Sequence, residues 1–595
     1  MKSTLSKKHS AAWMVCCAGL MCVFTGQVQA QKSLADEMLN DANGTRLEIR
    51  SVFDPLPPTG YAPLRIVATN GSSREEVWQL DFHSQTQEFQ RSNASRSSLS
   101  LVVGPQATQS TVFMASMAPD YGSTTSYRSN SRSYSINLNS PVTRAYSNYD
   151  QPQSAFPAIA MTKTLAENSL SGLEDEVEKK IKAASKYFGG ANTFGSRFSL
   201  EETPEDWLGF SGFDYVMLTD ADWQKMTSAS RHALLQWTRL GGKLHFYIRG
   251  ERPASLPPNS KSYGLGQIET FTWNGSKLLA AGTVARYWNK PQRLNTLQSG
   301  HTNVRGWPML DALGKRSFNS WQVIVFLVLF GILVGPVNLF MLAPSGRRHR
   351  LFITTPLLSL GASVMMVGII LVQDGIGGIG ARAIYLHLEP QEAAAYVTQK
   401  QISRTGVLLG AGFEMKQAAL VEPLTLPATD WVKLKNTHDM QPVSLTQNGP
   451  SRGGNFFQSR AEQAQMIRTA ISTRARLEVQ PATSAEDPPV LVSALGFTVE
   501  EMFYADATGG IWRLQSPLAT GQKADLVKVE PDELRQWWND KREVLKMDGV
   551  QELVVAPQNE FFAIAKAAPG FTQETLSSIR WQTDKIIVHG SVPLP

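Results

Sequence analysis

The chain has 595 residues, of which 42% are hydrophobic, and its 57 Lys and Arg stand against 51 Asp and Glu for a formal charge of +6. At ~100–200 residues per domain, this length holds about three or four domains. Charge so nearly balanced, with no long Lys/Arg run outside one short turn, excludes a charge-driven nucleic-acid binder, and no nucleic-acid partner is expected.

Residues 1–30 read as an export signal. Lys2, Lys7 and Lys8 precede the apolar run AAWMVCCAGLMCVF, and Val28 and Ala30 occupy the small-residue positions of a cleavage site. A retained anchor is the alternative, but the apolar run is short for a span. Cleavage removes the three lysines and lowers the formal charge to +3. Cys16, Cys17 and Cys22 are the only cysteines and all leave with the signal, so the mature chain has neither a disulfide nor a thiol nucleophile. Met21 directly before Cys22 does not suit lipoprotein processing, so no lipid anchor is expected.

Over 45–118, short alternating runs (RLEIRSVF, APLRIVATN, EEVWQLDFH and STVFMASM) are separated by PLPPTG, NGSSRE and a serine-rich stretch. This pattern predicts a β-sandwich domain. The following segment, 119–155, carries YGSTTSYRSNSRSYS and reads as a Ser/Tyr-rich linker. Its Tyr121, Tyr127 and Tyr134, interleaved with Arg128 and Arg132, have the composition of a stacking surface, although a polar connector is the simpler reading.

From 156 to 300 the period changes to alternating strand and helix. PAIAMT predicts a strand, and LEDEVEKKIKAASKYFGG an amphipathic helix closed by Gly189 and Gly190. Then a strand over 215–218 ends at Thr219 and Asp220. A helix starts near Thr227 or Ser228 and stops at Gly241-Gly242, and a second strand covers 244–248. This is a βαβ unit with parallel strands. In such sheets ligands sit at the carboxyl ends of strands, which makes Thr219, Asp220, Asp222 and Arg249 the candidate ligand-binding residues. The competing reading has the aspartates capping the helix. His232, inside a helix, and His245, within a strand, lie away from that edge. There is no HExxH, P-loop or paired Cys/His set, so no catalytic residue, metal ligand or cofactor is assigned.

The first apolar helix candidate covers 321–343 and the second 351–372, and neither contains an Asp, Glu, Lys or Arg. Each is long enough to cross a bilayer, for which roughly 20 apolar helical residues suffice. The turn between them, 344–350, carries Arg347, Arg348, His349 and Arg350, and short basic loops stay cytoplasmic. Both chain ends are then periplasmic or extracellular. Gly331, Gly335 and Pro336 leave little side chain on part of the first helix, which suits close helix packing, with a simple kink at Pro336 as the alternative, and Asn338 can hydrogen-bond across a helix pair or to a partner subunit. DGIGGIG over 374–380 reads as a flexible exit and hinge.

The 382–595 region returns to short strand patterns and reads as mainly β. Within it AEQAQMIRTAIST and PDELRQWWNDK are amphipathic helix candidates, and ADATGG between strand patterns fits a hairpin turn. Trp537 and Trp538 suit a helix packed on the sheet or an interfacial anchor.

DYVMLTDAD, SASRHALLQW and RLGGKLHF together resemble the class I glutamine amidotransferase-like, or flavodoxin-like, domains of exported bacterial membrane proteins. Gly335, Pro336, Val337 and Asn338 are similar to the Gly-Pro-x-Asn element of that family's membrane hairpin. YGLGQIETF resembles the closing strand of its α/β domain, and YADATGGIWRL a strand pair of its outer domain. The resemblance implies a multidomain membrane protein: a β-sandwich, an amidotransferase-like parallel α/β sheet, two transmembrane helices and a C-terminal mainly-β domain. It also implies a two-pass protein of the bacterial inner membrane. Amidotransferases of this fold use a cysteine that this chain lacks. The expected function is therefore non-catalytic. The outer domains would bind an envelope partner or ligand, and the hairpin, seated in the lipid bilayer, would dock another inner-membrane protein. The alternative is an envelope hydrolase, with or without a metal, working around Asp220 and Asp222.

Overall fold

The computed structural model describes residues 33–593 apart from 89–90, 120–130, 151–156, 185–193, 289, 291–308, 310–312, 315–319, 425–442, 481–487, 546–549 and 556. The export signal, Gly189-Gly190, Tyr121, Tyr127 and Arg128 lie outside the described residues. What is described is mostly β-sheet with a few helices.

The N-terminal domain is a sandwich. Ser33–Asn40, Thr45–Ser51, Tyr61–Thr69 and Thr108–Ser116 form a four-stranded antiparallel sheet. Along Thr45–Ser51 the side chains alternate between buried and exposed, as one sheet face on a core requires. Leu47, Ile49, Leu64 and Ile66 meet Trp78, Leu80, Phe82, Leu101, Ile136 and Leu138 of the facing sheet. Each large apolar side chain so enclosed contributes about 1.5–3 kcal/mol. The facing sheet corrects the linker expectation. Ser131–Ser140 and Arg144–Asp150 are paired strands, and the serine-rich stretch is the strand Arg91–Val103. Small hydroxyls let these strands bury a polar face: Ser95 and Ser97 are enclosed, and Ser95 Oγ bonds Ser116 Oγ at 2.8 Å. Arg132 and Tyr134 are buried, with Arg132 Nη2 donating to Pro58 O at 2.6 Å, so they offer no stacking surface.

The α/β domain has five parallel strands. Numbered within the domain as 1 to 5, Ile159–Thr162, Ser196–Phe198, Tyr215–Thr219, Lys243–Ile248 and Gly266–Thr272 lie in the order 2-1-3-4-5. That is the flavodoxin-like order of an open doubly wound sheet. Helix Lys163–Ala184 packs on one face through Leu165, Leu173 and Val177. Helix Ser228–Arg239 packs on the other through Leu234 and Trp237, against Val216, Leu218, Leu244 and Phe246. Thr227 caps that helix, accepting from Ser230 N, and the chain leaves it at Gly241, whose φ of +112° suits glycine. A Cβ on Gly242 would stand 2.3 Å from the Trp237 ring, so glycine there is what lets the helix close on the sheet.

The post-hairpin region does not form a separate unit. Its main sheet has nine strands, with Gly378–Glu389 and Ala394–Thr405 antiparallel at its centre and Ile579–Ser591 parallel to the first. It also completes its neighbour: Ser444–Asn448 pairs in parallel with Arg91–Val103, extending the N-terminal sandwich. In the opposite sense Phe53–Asp54 of the sandwich pairs with Ser196–Phe198 at the edge of the α/β sheet. AEQAQMIRTAIST, read from sequence as a helix, is the strand Glu462–Ser472, enclosed on both faces through most of its length and so without alternation. PDELRQWWNDK is helical within Pro531–Leu545, with Trp538 buried against Phe562 and Trp537 packed against Phe503.

Two helical stretches, Ile324–Leu342 and Ser345–Val372, are long and apolar enough to cross a membrane. The first changes from α-helix at Ser320–Ile332 to π-helix at Leu333–Leu342 around Pro336. The hairpin is fastened to the β-rich body on both sides. Arg404 Nη1 donates to Leu313 O at 2.8 Å before it, and Asp374 pairs with Arg460 at 2.6 Å after it. The glycine-rich exit is thus no free hinge. Gly378 begins a strand, and a Cβ on Gly377 would meet Ser578 O at 2.2 Å, so these glycines serve close backbone approach.

Candidate functional site

In an open sheet of this order the ligand crevice lies where the strand order reverses, here between the carboxyl ends of Ile159–Thr162 and Tyr215–Thr219. Asp222 occupies it and is 2% exposed. Its Oδ2 accepts from Thr162 Oγ1 at 2.6 Å and Thr219 N at 3.0 Å, and its Oδ1 accepts from Thr164 Oγ1 at 2.8 Å. Asp222 N in turn donates to Thr219 Oγ1 at 3.0 Å, closing a reciprocal capping box. One carboxylate thereby ties strand to strand and starts a helix.

Of the four residues singled out by sequence, Thr219 and Asp222 are brought together and spent on each other. Asp220 sits half-buried in the first helical turn. Arg249 is exposed beyond its strand, with its side chain beside Gly275. Among the described residues no group of three His, Cys, Asp or Glu side chains is placed to hold a metal ion. His245 is buried at 2.6 Å from Tyr287 Oη, and burial, with help from Arg286 and Lys243, pushes its pKa down to about 3. His232 is exposed on its helix.

A polar cluster that the sequence did not announce sits where the α/β domain meets the nine-stranded sheet. Arg239, the last residue of its helix, is 9% exposed. Its Nη2 lies 2.9 Å from Glu389 Oε2 and 2.8 Å from Glu392 Oε1, and its Nε donates to both Glu392 oxygens at 3.0 and 3.1 Å. Nη1 donates to His387 Nε2 at 3.2 Å, and the guanidinium stacks 4.1 Å over the Tyr263 ring. Tyr263 and Tyr396 hydroxyls donate to Glu392, and Ser591 Oγ donates to Glu389 Oε1 at 2.6 Å. A second layer follows, with the His387 and His589 rings 5.0 Å apart and His589 joined to Tyr385 at 3.0 Å and Glu560 at 2.6 Å.

Burial works against charge throughout this cluster, and pairing decides the outcome. Burial alone would lower the Arg239 pKa, but Glu389, Tyr263 and Glu392 raise it, so it stays cationic. Burial alone would raise Glu392, but Arg239 and the hydrogen bonds from Arg239 and the two tyrosines hold it below the usual carboxylate range. Burial pushes Tyr263 up to about 12. His387 is driven well below its ordinary value by burial, then by His589 and Arg239, and is neutral, its Nδ1 meeting no partner among the described residues. These groups satisfy one another across a domain junction, which is the chemistry of a clasp.

A cleft of about 670 Å³ opens between the sandwich and the first α/β helix, within the ~300–1,000 Å³ range typical of ligand pockets. Arg50 and Asp54 line one side, and Lys163, Glu174 and Arg197 the other. Arg197 is held by Asp54 at 2.7 Å, and burial raises the Glu174 pKa. In the hairpin, Asn338 is fully buried and its Nδ2 donates to Thr355 Oγ1 of the second helix at 2.9 Å, as its position in the sequence led one to expect. Gly331 and Gly335 face open space, with no described atom beyond the adjoining residues of the helix within 4 Å of where a Cβ would stand. Arg347, Arg348 and Arg350 are exposed in the Ser345–Arg350 turn.

No family model and no curated protein matches the chain. Among solved structures, similar chains include the sporulation control protein Spo0M from Bacillus subtilis, at 8% identity and a TM-score of 0.12, covering 22% of this chain and 55% of that one. The yeast delta-COP-I mu-homology domain is similar at 8% identity and a TM-score of 0.17, over 36% of this chain and 96% of that one. A calcium-binding mutant of Bacteroides uniformis beta-glucuronidase 2 is similar at 11% identity and a TM-score of 0.13, over 92% of this chain and 62% of that one. At such TM-scores these likenesses carry no argument about fold or activity.

Proposed function

We propose that the chain is a non-catalytic, membrane-anchored scaffold of the bacterial envelope. Its two apolar helices cross the inner membrane with the basic turn inside, and its outer domains hold a partner or ligand on the far side. The α/β domain is read as an amidotransferase-like domain put to binding use. The observation that carries this reading is Asp222. Its carboxylate, at the point where such sheets bind ligands, is taken up by Thr162, Thr164 and Thr219. A hydrolase using Asp220 and Asp222 would need that carboxylate free to polarise water or hold a metal. Exposed apolar side chains along both helices, Leu329 at 60% and Val364 at 65% among them, supply the surface that lipid or a second membrane protein would cover.

The test is purification of the tagged chain from its native membrane in mild detergent, followed by mass spectrometry. The scaffold reading expects one stoichiometric membrane partner, retained equally by the Asp220→Asn, Asp222→Asn double variant once its folding is verified. Recovery of the chain alone, together with a hydrolytic activity that the double variant loses, would overturn it.

A further inference from the structure

Among the described residues, apolar side chains that none of the others covers are gathered at one end of the hairpin. Val372, at the end of the second helix, is 86% exposed, Ile376 is 67% exposed and Leu409 is 87% exposed. Leu409 is remote from the other two in sequence but is tied to them by backbone. Ile376 and Val407 form a parallel bridge, Val407 N donates to Gly375 O at 2.9 Å, and Gly377 N donates to Val407 O at 3.0 Å. Leu408 turns inward onto the body, its N bonded to Ser459 Oγ at 3.0 Å, which leaves Leu409 as the protruding tip. Trp321 opens the antiparallel first helix at this same end and is 64% exposed. Beside them, Arg580 is exposed opposite Ile379, and Arg460 is held against Asp374.

We propose that the 407–411 loop and Ile376 form a foot that dips into the outer interface of the bilayer and seats the body on it. The proposal rests on the reading of the hairpin as transmembrane. Lipid is the occupant because the exposed side chains continue the apolar surface of the Leu351–Asp374 helix without a break in chain or hydrogen bonding. The surrounding chemistry also fits that depth. Large apolar tips, a tryptophan at the start of a span and arginines just beyond are the residues that settle at the acyl and headgroup boundary. A rigid foot, a few residues from the helix end, cannot rise clear of that boundary while the helix stays within it.

The full chain, with Cys16, Cys17 and Cys22 changed to Ala, is reconstituted in phosphatidylethanolamine and phosphatidylglycerol vesicles. Single-cysteine variants Leu409→Cys, Val364→Cys and Leu279→Cys are labelled with an environment-sensitive fluorophore. Leu279 is 80% exposed on the α/β domain, which docks at the Glu389 end of the central strand, opposite the membrane end at Gly378. The expected result is blue-shifted emission at 409, lost on adding lipids with a quencher high on the acyl chain, while 279 stays quenched only by iodide in water. Position 364, mid-helix, reports on the span itself. Lipid quenching at 364 with water-like emission at 409 overturns the foot and leaves the hairpin reading standing. Water-like emission at both overturns the hairpin reading. If 409 is water-exposed in vesicles yet shielded in native membranes, the occupant is a partner protein and the lipid assignment fails.

Discussion

Asp222 at the switch point and Glu392 at the domain junction are both carboxylates largely withdrawn from solvent, and they differ in what surrounds them. Asp222 is met by two threonine hydroxyls and a backbone amide, all from its own domain. Glu392 is met by a guanidinium from another domain and by two tyrosines. Neutral donors can each be returned to water at modest cost when the domain opens. A buried ion pair concentrates its energy in one partner, because the survivor is left charged in a medium that solvates it poorly. The first arrangement is part of how a domain folds, and the second decides whether two domains stay together.

The sharpest way to break the contrast is Arg239→Met, which removes a cation that faces both Glu389 and Glu392. A loss of about 3–5 kcal/mol is expected from chemical denaturation, with separation of the α/β transition from that of the nine-stranded sheet. Asp222→Ala should cost less, about 1–3 kcal/mol, with the two transitions remaining coincident. Asp222→Asn should recover much of this, since an amide oxygen still accepts from the threonines.

A third effect is in pH. His387 titrates lower in the folded chain than unfolded, so the unfolded chain binds the extra proton first. Its contribution is complete above an unfolded pKa of about 6.5 and declines as the medium is acidified below that, by about 1.4 kcal/mol per pH unit. His245 behaves alike, down to its folded value of about 3. Unfolding free energy measured between pH 7 and pH 5 should therefore fall, and His387→Phe should flatten the slope. An unchanged slope in the variant would mean that His387 is already protonated in the folded clasp.

Much of the layout was legible in the sequence because its signals are local. The apolar hairpin, the βαβ unit and the helix stop at Gly241-Gly242 each follow from neighbours a few residues apart. The serine-rich strands were not legible, since Ser95, Ser97 and Arg132 are buried by groups elsewhere in the chain. Nor was Glu462–Ser472, whose helix-forming composition is overridden by burial on both faces. At the candidate site, Asp222 as a cap could be read from Thr219 three positions before it, whereas the clasp draws Arg239, Glu392 and Ser591 from three distant stretches.

The parallel pairing of Ser444–Asn448 with Arg91–Val103 has a consequence for biogenesis. A chain made from its N-terminus presents Arg91–Val103 long before its neighbour exists, and an open strand edge invites wrong partners. If the hairpin between them sits in a bilayer, as proposed, the two strands can meet only after an even number of crossings has put them on the same side. Closing that sheet is then a parity check on insertion: a chain that crosses once strands the edge and never completes its outer body.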